Sequence, residues 1–194
     1  MIRAIIFDCF GVLLTDSLHL MRTELAQKDA EAEAEVRDLI GLVNKGVLHP
    51  VETRPKIAKL FNLDVNAYVE KVTSGEGKNH ELMDYILQLK KDYKVGMLSN
   101  IGSGSLLKRF TKAELDEHFD QVVASGDIGY AKPEREAYMI AAEKLGVRLD
   151  ECVFVDDREL FCDAATSVGM HAIVYTNFAQ LRTELEALLT DSKD

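Results

Sequence analysis

Apolar residues occur in short runs, several of them rich in β-branched side chains, that alternate with longer amphipathic segments. Runs of this length and composition are typical of buried strands. The predicted strands are 2–8, 94–99, 121–124, 152–156 and 172–175. Helical spacing is seen in two groups between them: Leu106, Leu107 and Phe110, then Tyr138, Ala141, Ala142 and Leu145. This alternation predicts an α/β fold with a doubly wound parallel sheet.

The two long segments that flank this pattern are also predicted to be helical. A last helix should begin near Asn177, where Gln180 stands three residues on, as in a capping box. Residues 15–79 contain no strand pattern, and their apolar residues fall in three stripes at helical spacing: Leu18, Met21, Leu25; Val36, Leu39, Ile40, Val43; and Ile57, Leu60, Phe61. We interpret 15–79 as an inserted helical domain and 1–14 with 80–194 as the core. The alternative is that these helices extend the core.

Composition narrows the classes of partner. The 194-residue chain has a formal net charge of −10 and a predicted pI of about 5.0, which disfavours nucleic acid and anionic membrane surfaces. No apolar run is long enough to span a membrane, and the N-terminus lacks the pattern of a signal peptide. The three cysteines have no metal-site spacing, and their odd number argues against a disulfide framework. A cytoplasmic protein is expected.

Polar residues cluster where the predicted strands end or in the loops beyond them. The carboxyl ends of parallel strands open on one crevice, so residues far apart in sequence should meet there. The polar sets are Asp8, Ser99 with Asn100, Lys132, and Asp156 with Asp157. Together they would supply a nucleophile, a hydroxyl, a cation and a pair of metal-binding carboxylates, which are the groups that a phosphate ester requires.

Taken in this order, the four motifs resemble those of the haloacid dehalogenase (HAD) superfamily of aspartate-nucleophile hydrolases. The resemblance covers nearly the whole chain and fits the subfamily with a helical C1-type cap and a paired-aspartate fourth motif. It implies a Rossmann-like core with a small helical cap that closes over the active site. It also implies Mg²⁺ as cofactor and a small phosphorylated metabolite as substrate.

The resemblance assigns a role to each motif. Asp8 would be the nucleophile that forms an aspartyl-phosphate, and Lys132 would touch both this carboxylate and the phosphate. Ser99 and the backbone amide of Asn100 would donate hydrogen bonds to the phosphoryl oxygens. Outside this family, Lys132 would be read as a surface lysine and the Ser-Asn pair as a turn.

The resemblance also assigns the metal ligands. Mg²⁺ would be held by the carboxylates of Asp8 and Asp157 and the backbone carbonyl of Phe10, with Asp156 behind them. The alternative is that Asp156 or Asp157 caps a helix beginning near Glu159.

Two positions depart from the pattern. Phosphatases of this superfamily usually carry a second aspartate, the general acid, where this chain has Phe10, and related sequences often have Asn where it has Phe161. A phenyl ring transfers no proton, so we expect activity restricted to good leaving groups. An aromatic residue at position 10 leaves two alternatives open: a 2-haloacid dehalogenase-like hydrolase, or a non-catalytic protein that binds a phosphorylated ligand.

Overall fold

The computed structural model describes residues 1–191 and contains a parallel five-stranded sheet. The strands are β1 (Ala4–Phe7), β2 (Lys94–Ser99), β3 (Gln121–Ala124), β4 (Cys152–Asp156) and β5 (His171–Val174), in the order β3-β2-β1-β4-β5. The predicted doubly wound α/β fold is confirmed. Two strand predictions were wrong at their ends, since β1 is shorter than 2–8 and β5 lies one residue before 172–175.

Ten α-helices are found within the described residues. They are α1 (Ser17–Lys28), α2 (Ala30–Asn44), α3 (Pro50–Leu60), α4 (Val65–Ser74), α5 (His80–Leu89), α6 (Lys112–His118), α7 (Ser125–Ile128), α8 (Arg135–Leu145), α9 (Glu159–Ser167) and α10 (Phe178–Asp191). Asn177 caps α10 as expected, because its side chain accepts a hydrogen bond from the Gln180 amide at 3.0 Å. The helix predicted around residues 106–110 is only a 3₁₀ turn, Leu106–Lys108.

The sheet is buried on both faces. All four residues of β1 are fully buried, as expected for the central strand of a parallel sheet covered by helices on each side. One face packs against apolar residues of α5 and α10, such as Ile86 and Leu185. The other packs against α8 and α9, with Tyr138 and Ala165 at the contact. No helix of residues 1–191 combines the length and apolar character needed to cross a bilayer.

Helices α1 to α4 enter the chain between β1 and β2 and share a hydrophobic cluster of their own. Met21, Val36, Ile57, Tyr68 and Val72 are buried in it. Because this cluster draws on these helices and not on the sheet, the insertion is a packed unit with its own small core.

The strand register brings the polar motifs to one level. Phe7 pairs with Met97 of β2 on one side and with Val155 of β4 on the other. The Asp8 amide donates to the Val155 carbonyl at 2.8 Å, which continues the ladder by one residue. The side chains that follow β1, β2 and β4 therefore meet at the carboxyl edge of the sheet.

Candidate active site

Asp8, Lys132 and Asp156 form a buried ion-pair network at this edge. The Lys132 ammonium lies 2.7 Å from Asp8 Oδ1 and 2.5 Å from Asp156 Oδ2. Lys132 is only 3% exposed and Asp156 is fully buried, so the interpretation of Lys132 as a surface lysine was wrong. A lysine held by two carboxylates is a fixed positive charge rather than a mobile side chain.

The Asn100 side chain fixes the backbone of Lys132. Its Nδ2 donates to the Lys132 carbonyl and its Oδ1 accepts from the Lys132 amide, both at 2.8 Å. The sequence predicts a role only for the backbone amide of Asn100, not for its side chain. Two hydrogen bonds from a neighbouring strand end hold the Lys132 loop, and hence its ammonium, in place.

Ser99 ends β2 with a side chain that lacks a partner. Its hydroxyl is fully buried and has no hydrogen-bond partner in the part of the chain that the structure describes. Buried polar groups are nearly always hydrogen-bonded, so this hydroxyl is available to a ligand or a water molecule. Ser99 therefore fits a contact to an oxygen-rich group.

Asp157 completes a cluster of three carboxylates with Asp8 and Asp156. One ligand oxygen of each lies within 4.8 Å of the others, and Asp157 is the most exposed of the three. Its Oδ1 is a second buried atom without a hydrogen-bond partner among residues 1–191. Hard carboxylate oxygens grouped in this way fit a divalent cation such as Mg²⁺.

Gly11 leaves the space that the Asp157 carboxylate occupies. A Cβ at this position would lie 2.2 Å from Asp157 Oδ2, and the backbone φ of +88° favours glycine independently. The turn after β1 is thus shaped around the carboxylate of the residue that follows β4. The predicted ligand carbonyl of Phe10 belongs to this turn, and its role stays a prediction.

Burial makes the carboxylates difficult to ionise without further positive charge. It raises the pKa of Asp8 to about 7, an effect that Lys132 opposes and Asp156 reinforces. It raises the pKa of Asp157 to about 6, with smaller contributions from Asp156 and Asp16. Burial alone would lower the pKa of Lys132, but the charges of Asp8 and Asp156 outweigh it and raise the pKa. A cation beside Asp8 and Asp157 would favour their ionised forms.

Lys132→Met is expected to destabilise the fold by about 3 kcal/mol, because Asp8 and Asp156 would be left buried without their cation. Urea unfolding measures the change, and Lys91→Met, which removes an exposed lysine without a salt bridge among the described residues, serves as the matched control. Equal unfolding midpoints for the two variants would show that Lys132 does not hold the carboxylates together.

The structure also decides the helix-cap alternative. Helix α9 begins after Arg158, which is its N-cap and makes no side-chain capping bond. Asp156 Oδ1 accepts from the Arg158 amide at 3.0 Å, so it stabilises the turn before the helix, and Asp157 has no such bond.

Phe161 stands at the position where related sequences often have Asn, and its ring contacts Lys132. The ring centroid lies 5.0 Å from the Lys132 ammonium. The aromatic face adds to the binding of this cation.

Phe10 lies under an arginine that sequence reasoning missed. The Arg109 guanidinium is 5.2 Å from the Phe10 ring centroid, donates to Glu76 Oε1 at 2.7 Å and to the Ser105 carbonyl at 3.1 Å. No spacing or motif marks Arg109 or Glu76, because they are 33 positions apart and meet only when the insertion packs on the core.

A cavity of about 270 Å³ opens in front of these groups. It is lined by Asp8, Asn100 and Lys132 from the core and by Arg54 and Tyr68 from the insertion, among others. The ion-pair network thus faces a space large enough for a small molecule.

Comparisons with known proteins show the family of this chain. A family model for haloacid dehalogenase-like hydrolases matches residues 2–169. Phosphatase MT3486 of Mycobacterium tuberculosis is 36% identical over 97 residues, which are 48% of this chain and 43% of that protein. D-ribitol-5-phosphate phosphatase of Bacteroides thetaiotaomicron is 26% identical over 205 residues, covering 97% of this chain and 99% of that protein. The chain spans less than half the length of several curated relatives that it matches, such as 43% and 23% for two of them.

Solved structures show the same fold. A HAD-family enzyme of Bacteroides thetaiotaomicron, solved in complex with magnesium and inorganic phosphate, superposes with a TM-score of 0.74 at 20% identity, over 93% of this chain and 99% of that one. A HAD-like hydrolase of Porphyromonas gingivalis gives a TM-score of 0.74 at 26% identity, over 97% and 98% of the two chains. With the family model matched over residues 2–169 of 194, the protein belongs to the haloacid dehalogenase-like hydrolases.

Proposed function

We propose that the protein is a Mg²⁺-dependent phosphatase that hydrolyses a small phosphorylated metabolite through an aspartyl-phosphate on Asp8. The observation that carries this proposal is the buried network of Asp8, Lys132 and Asp156. Next to it stand two polar atoms without partners among residues 1–191, Ser99 Oγ and Asp157 Oδ1. A phosphate with its metal would satisfy both atoms. The phosphatases among the curated relatives support the same reading.

In this proposal Mg²⁺ is held by the carboxylates of Asp8 and Asp157 and the carbonyl of Phe10, with Asp156 behind them. When bound, the metal supplies positive charge against the repulsion between carboxylate and phosphate, which is about 4 kcal/mol per charge pair at 4 Å in a partly screened site. Asp156 is already engaged by Lys132 and the Arg158 amide, so it orients neighbours and leaves Asp157 for the cation.

The residues of this chain carry out two displacements at phosphorus. An Asp8 carboxylate oxygen forms a bond to phosphorus while the ester oxygen leaves with the bonding electron pair and takes up a proton from solvent water. Water then attacks phosphorus and gives up a proton to solvent, the bond between Asp8 and phosphorus breaks, the Asp8 carboxylate is regenerated, and inorganic phosphate is released. Lys132 offsets the charge of the transferring group throughout, and Ser99 donates a hydrogen bond to one of its oxygens.

The helical insertion 15–79 would act as the cap of this enzyme, and residues 1–14 and 80–194 as its core. Two ion pairs support the assignment by joining the two parts of the chain. Lys45 Nζ lies 2.9 Å from Glu134 Oε1, and Arg109 pairs with Glu76. Glu134 also accepts from the Ala131 amide at 2.9 Å, so the cap contact reaches the residue before Lys132.

The experiment that tests the function is a screen of phosphorylated metabolites and 2-haloacids, with and without Mg²⁺. Release of inorganic phosphate that requires Mg²⁺ is the expected result. Halide release in the presence of a chelator would identify a dehalogenase instead, and no turnover of any compound would favour a binding protein.

Mg²⁺ binding itself is expected to depend on Asp157 and Gly11. Asp157→Asn should weaken binding at least about tenfold in calorimetry, because a charged ligand oxygen is lost. Gly11→Ala should weaken it as well, because the new Cβ would displace the Asp157 carboxylate. Gly169→Ala is the matched control, since its φ of +99° is equally unfavourable but no atom lies within 4 Å of the added Cβ. Unchanged affinity in Asp157→Asn would place the metal elsewhere.

A further inference from the structure

The cavity in front of the ion-pair network is also lined by two cations that have no anionic partner among the described residues. Arg54 comes from α3 in the insertion, and Lys108 from the 3₁₀ turn of the core. Among residues 1–191, neither side chain has an ion-pair or hydrogen-bond partner. Arg54 is half-buried and Lys108 is exposed.

Three other cations that line the cavity are paired with acids, and Arg158 instead lies 4.2 Å from the centroid of the Phe161 ring. Lys132 pairs with Asp8, and Arg109 pairs with Glu76. Arg22 pairs with Glu33 at 2.5 Å, with side chains 23% and 12% exposed. Arg54 and Lys108 thus supply positive charge that no acid among residues 1–191 pairs with, in a chain whose net charge is −10.

The two cations share one region of the cavity with Arg109. Burial lowers the pKa of Lys108, and the charges of Arg54 and Arg109 lower it further. Arg54 also lies close enough to Tyr68, on the same wall, to oppose the burial that raises the pKa of that phenol. Like charges brought together in a cavity repel, and an anion between them would remove the repulsion.

We propose that Arg54 and Lys108 bind a second anionic group of the substrate while its phosphate ester lies at Asp8 and Lys132. This inference rests on the proposed phosphatase function and names the substrate class: a small phosphate monoester whose leaving group carries a carboxylate or another phosphate. The planar guanidinium of Arg54 suits either anion, because both accept two parallel hydrogen bonds. A cavity of about 270 Å³ holds a compact molecule of this kind.

The test compares kcat/KM for three substrates: glycerol phosphate, which lacks a second anion, phosphoglycerate, and a sugar bisphosphate. The wild type is expected to prefer phosphoglycerate, the bisphosphate or both over glycerol phosphate. The ratio of kcat/KM for phosphoglycerate and the bisphosphate identifies the second anion as carboxylate or phosphate. Arg54→Gln and Lys108→Gln should each reduce kcat/KM for the preferred substrate about 10–100-fold, mainly through KM. Their kcat/KM for glycerol phosphate should stay within about threefold, and Lys91→Gln should change neither.

Binding to the Asp8→Asn variant separates this inference from the proposed function. Calorimetry should show tighter binding of phosphoglycerate or the bisphosphate than of glycerol phosphate, and loss of the difference when Arg54→Gln is added. That result without any turnover by wild type would keep the anion site and overturn the phosphatase. Equal affinity of the Asp8→Asn variant for all three ligands would overturn the anion site even if wild type is a phosphatase. An equal loss of kcat/KM for all three substrates in Arg54→Gln and in Lys108→Gln would overturn it as well.

Discussion

Asp8→Asn is expected to reduce kcat for phosphate ester hydrolysis by roughly 10⁴–10⁶-fold, the scale seen when a covalent nucleophile is removed. The amide keeps the shape of the carboxylate but forms no bond to phosphorus. A phosphate mimic such as beryllium fluoride should be captured on wild-type Asp8 and not on the variant. Steady-state release of phosphate and fluorine NMR measure the two effects.

The fold should survive this substitution. Burial raises the pKa of Asp8 to about 7, so the folded state gains little from its charge, and Lys132 keeps Asp156 at 2.5 Å. Asp163→Asn, the same change at an exposed position of α9, is the control for activity and thermal stability. Undiminished hydrolysis in Asp8→Asn would exclude covalent catalysis at this residue.

Phe10→Asp is expected to raise the rate for alkyl phosphates by up to about 10²–10⁴-fold and to change aryl phosphates little. Without an acid at position 10, an alkyl ester must expel a strongly basic alkoxide, whereas an aryl ester leaves as a weak base. The wild-type rate should therefore fall steeply as the leaving-group pKa rises. The aspartyl-phosphate should also accumulate and give a burst of product, because its hydrolysis lacks the usual base.

Arg109 sets the size of this gain. Its guanidinium lies over the Phe10 ring, so an introduced carboxylate would sit beside a positive charge, which favours the ionised form and weakens it as an acid. Phe10→Asn is the matched control, because it is polar and of similar size to aspartate but donates no acidic proton. A wild type that hydrolyses alkyl and aryl phosphates equally fast would show that another group supplies the proton.

Much of the site could be predicted before the tertiary structure was known. Short apolar runs alternating with helical segments can bury both faces of a sheet only when the strands run parallel and helices cover each face. Parallel strands share one carboxyl edge, so Asp8, Asp156 and Ser99 had to approach each other there. Asp8 and Asp156 do meet at this edge, in an ion-pair network that Lys132 completes from the loop after α7.

Other features follow only from three-dimensional packing. The segment around Leu106 has helical spacing, yet it forms a 3₁₀ turn, and α6 begins at Lys112. For Asn100 the sequence predicts a role only for the backbone amide. Nothing in the sequence shows that a loop 32 residues away offers its side chain a donor and an acceptor.

The sequence by itself determined the order of the elements, the insertion point and the chemistry at the sheet edge, because each depends on local periodicity and on which residue ends a strand. Only the tertiary structure decided which residues of the insertion and the core line the cavity together. The pairing of Arg109 with Glu76, and the presence of Arg54 and Lys108 in one cavity, depend on how the helical insertion packs on the core. Contacts between distant segments leave no period in the chain, so charge balance in the cavity can be read only from the folded protein.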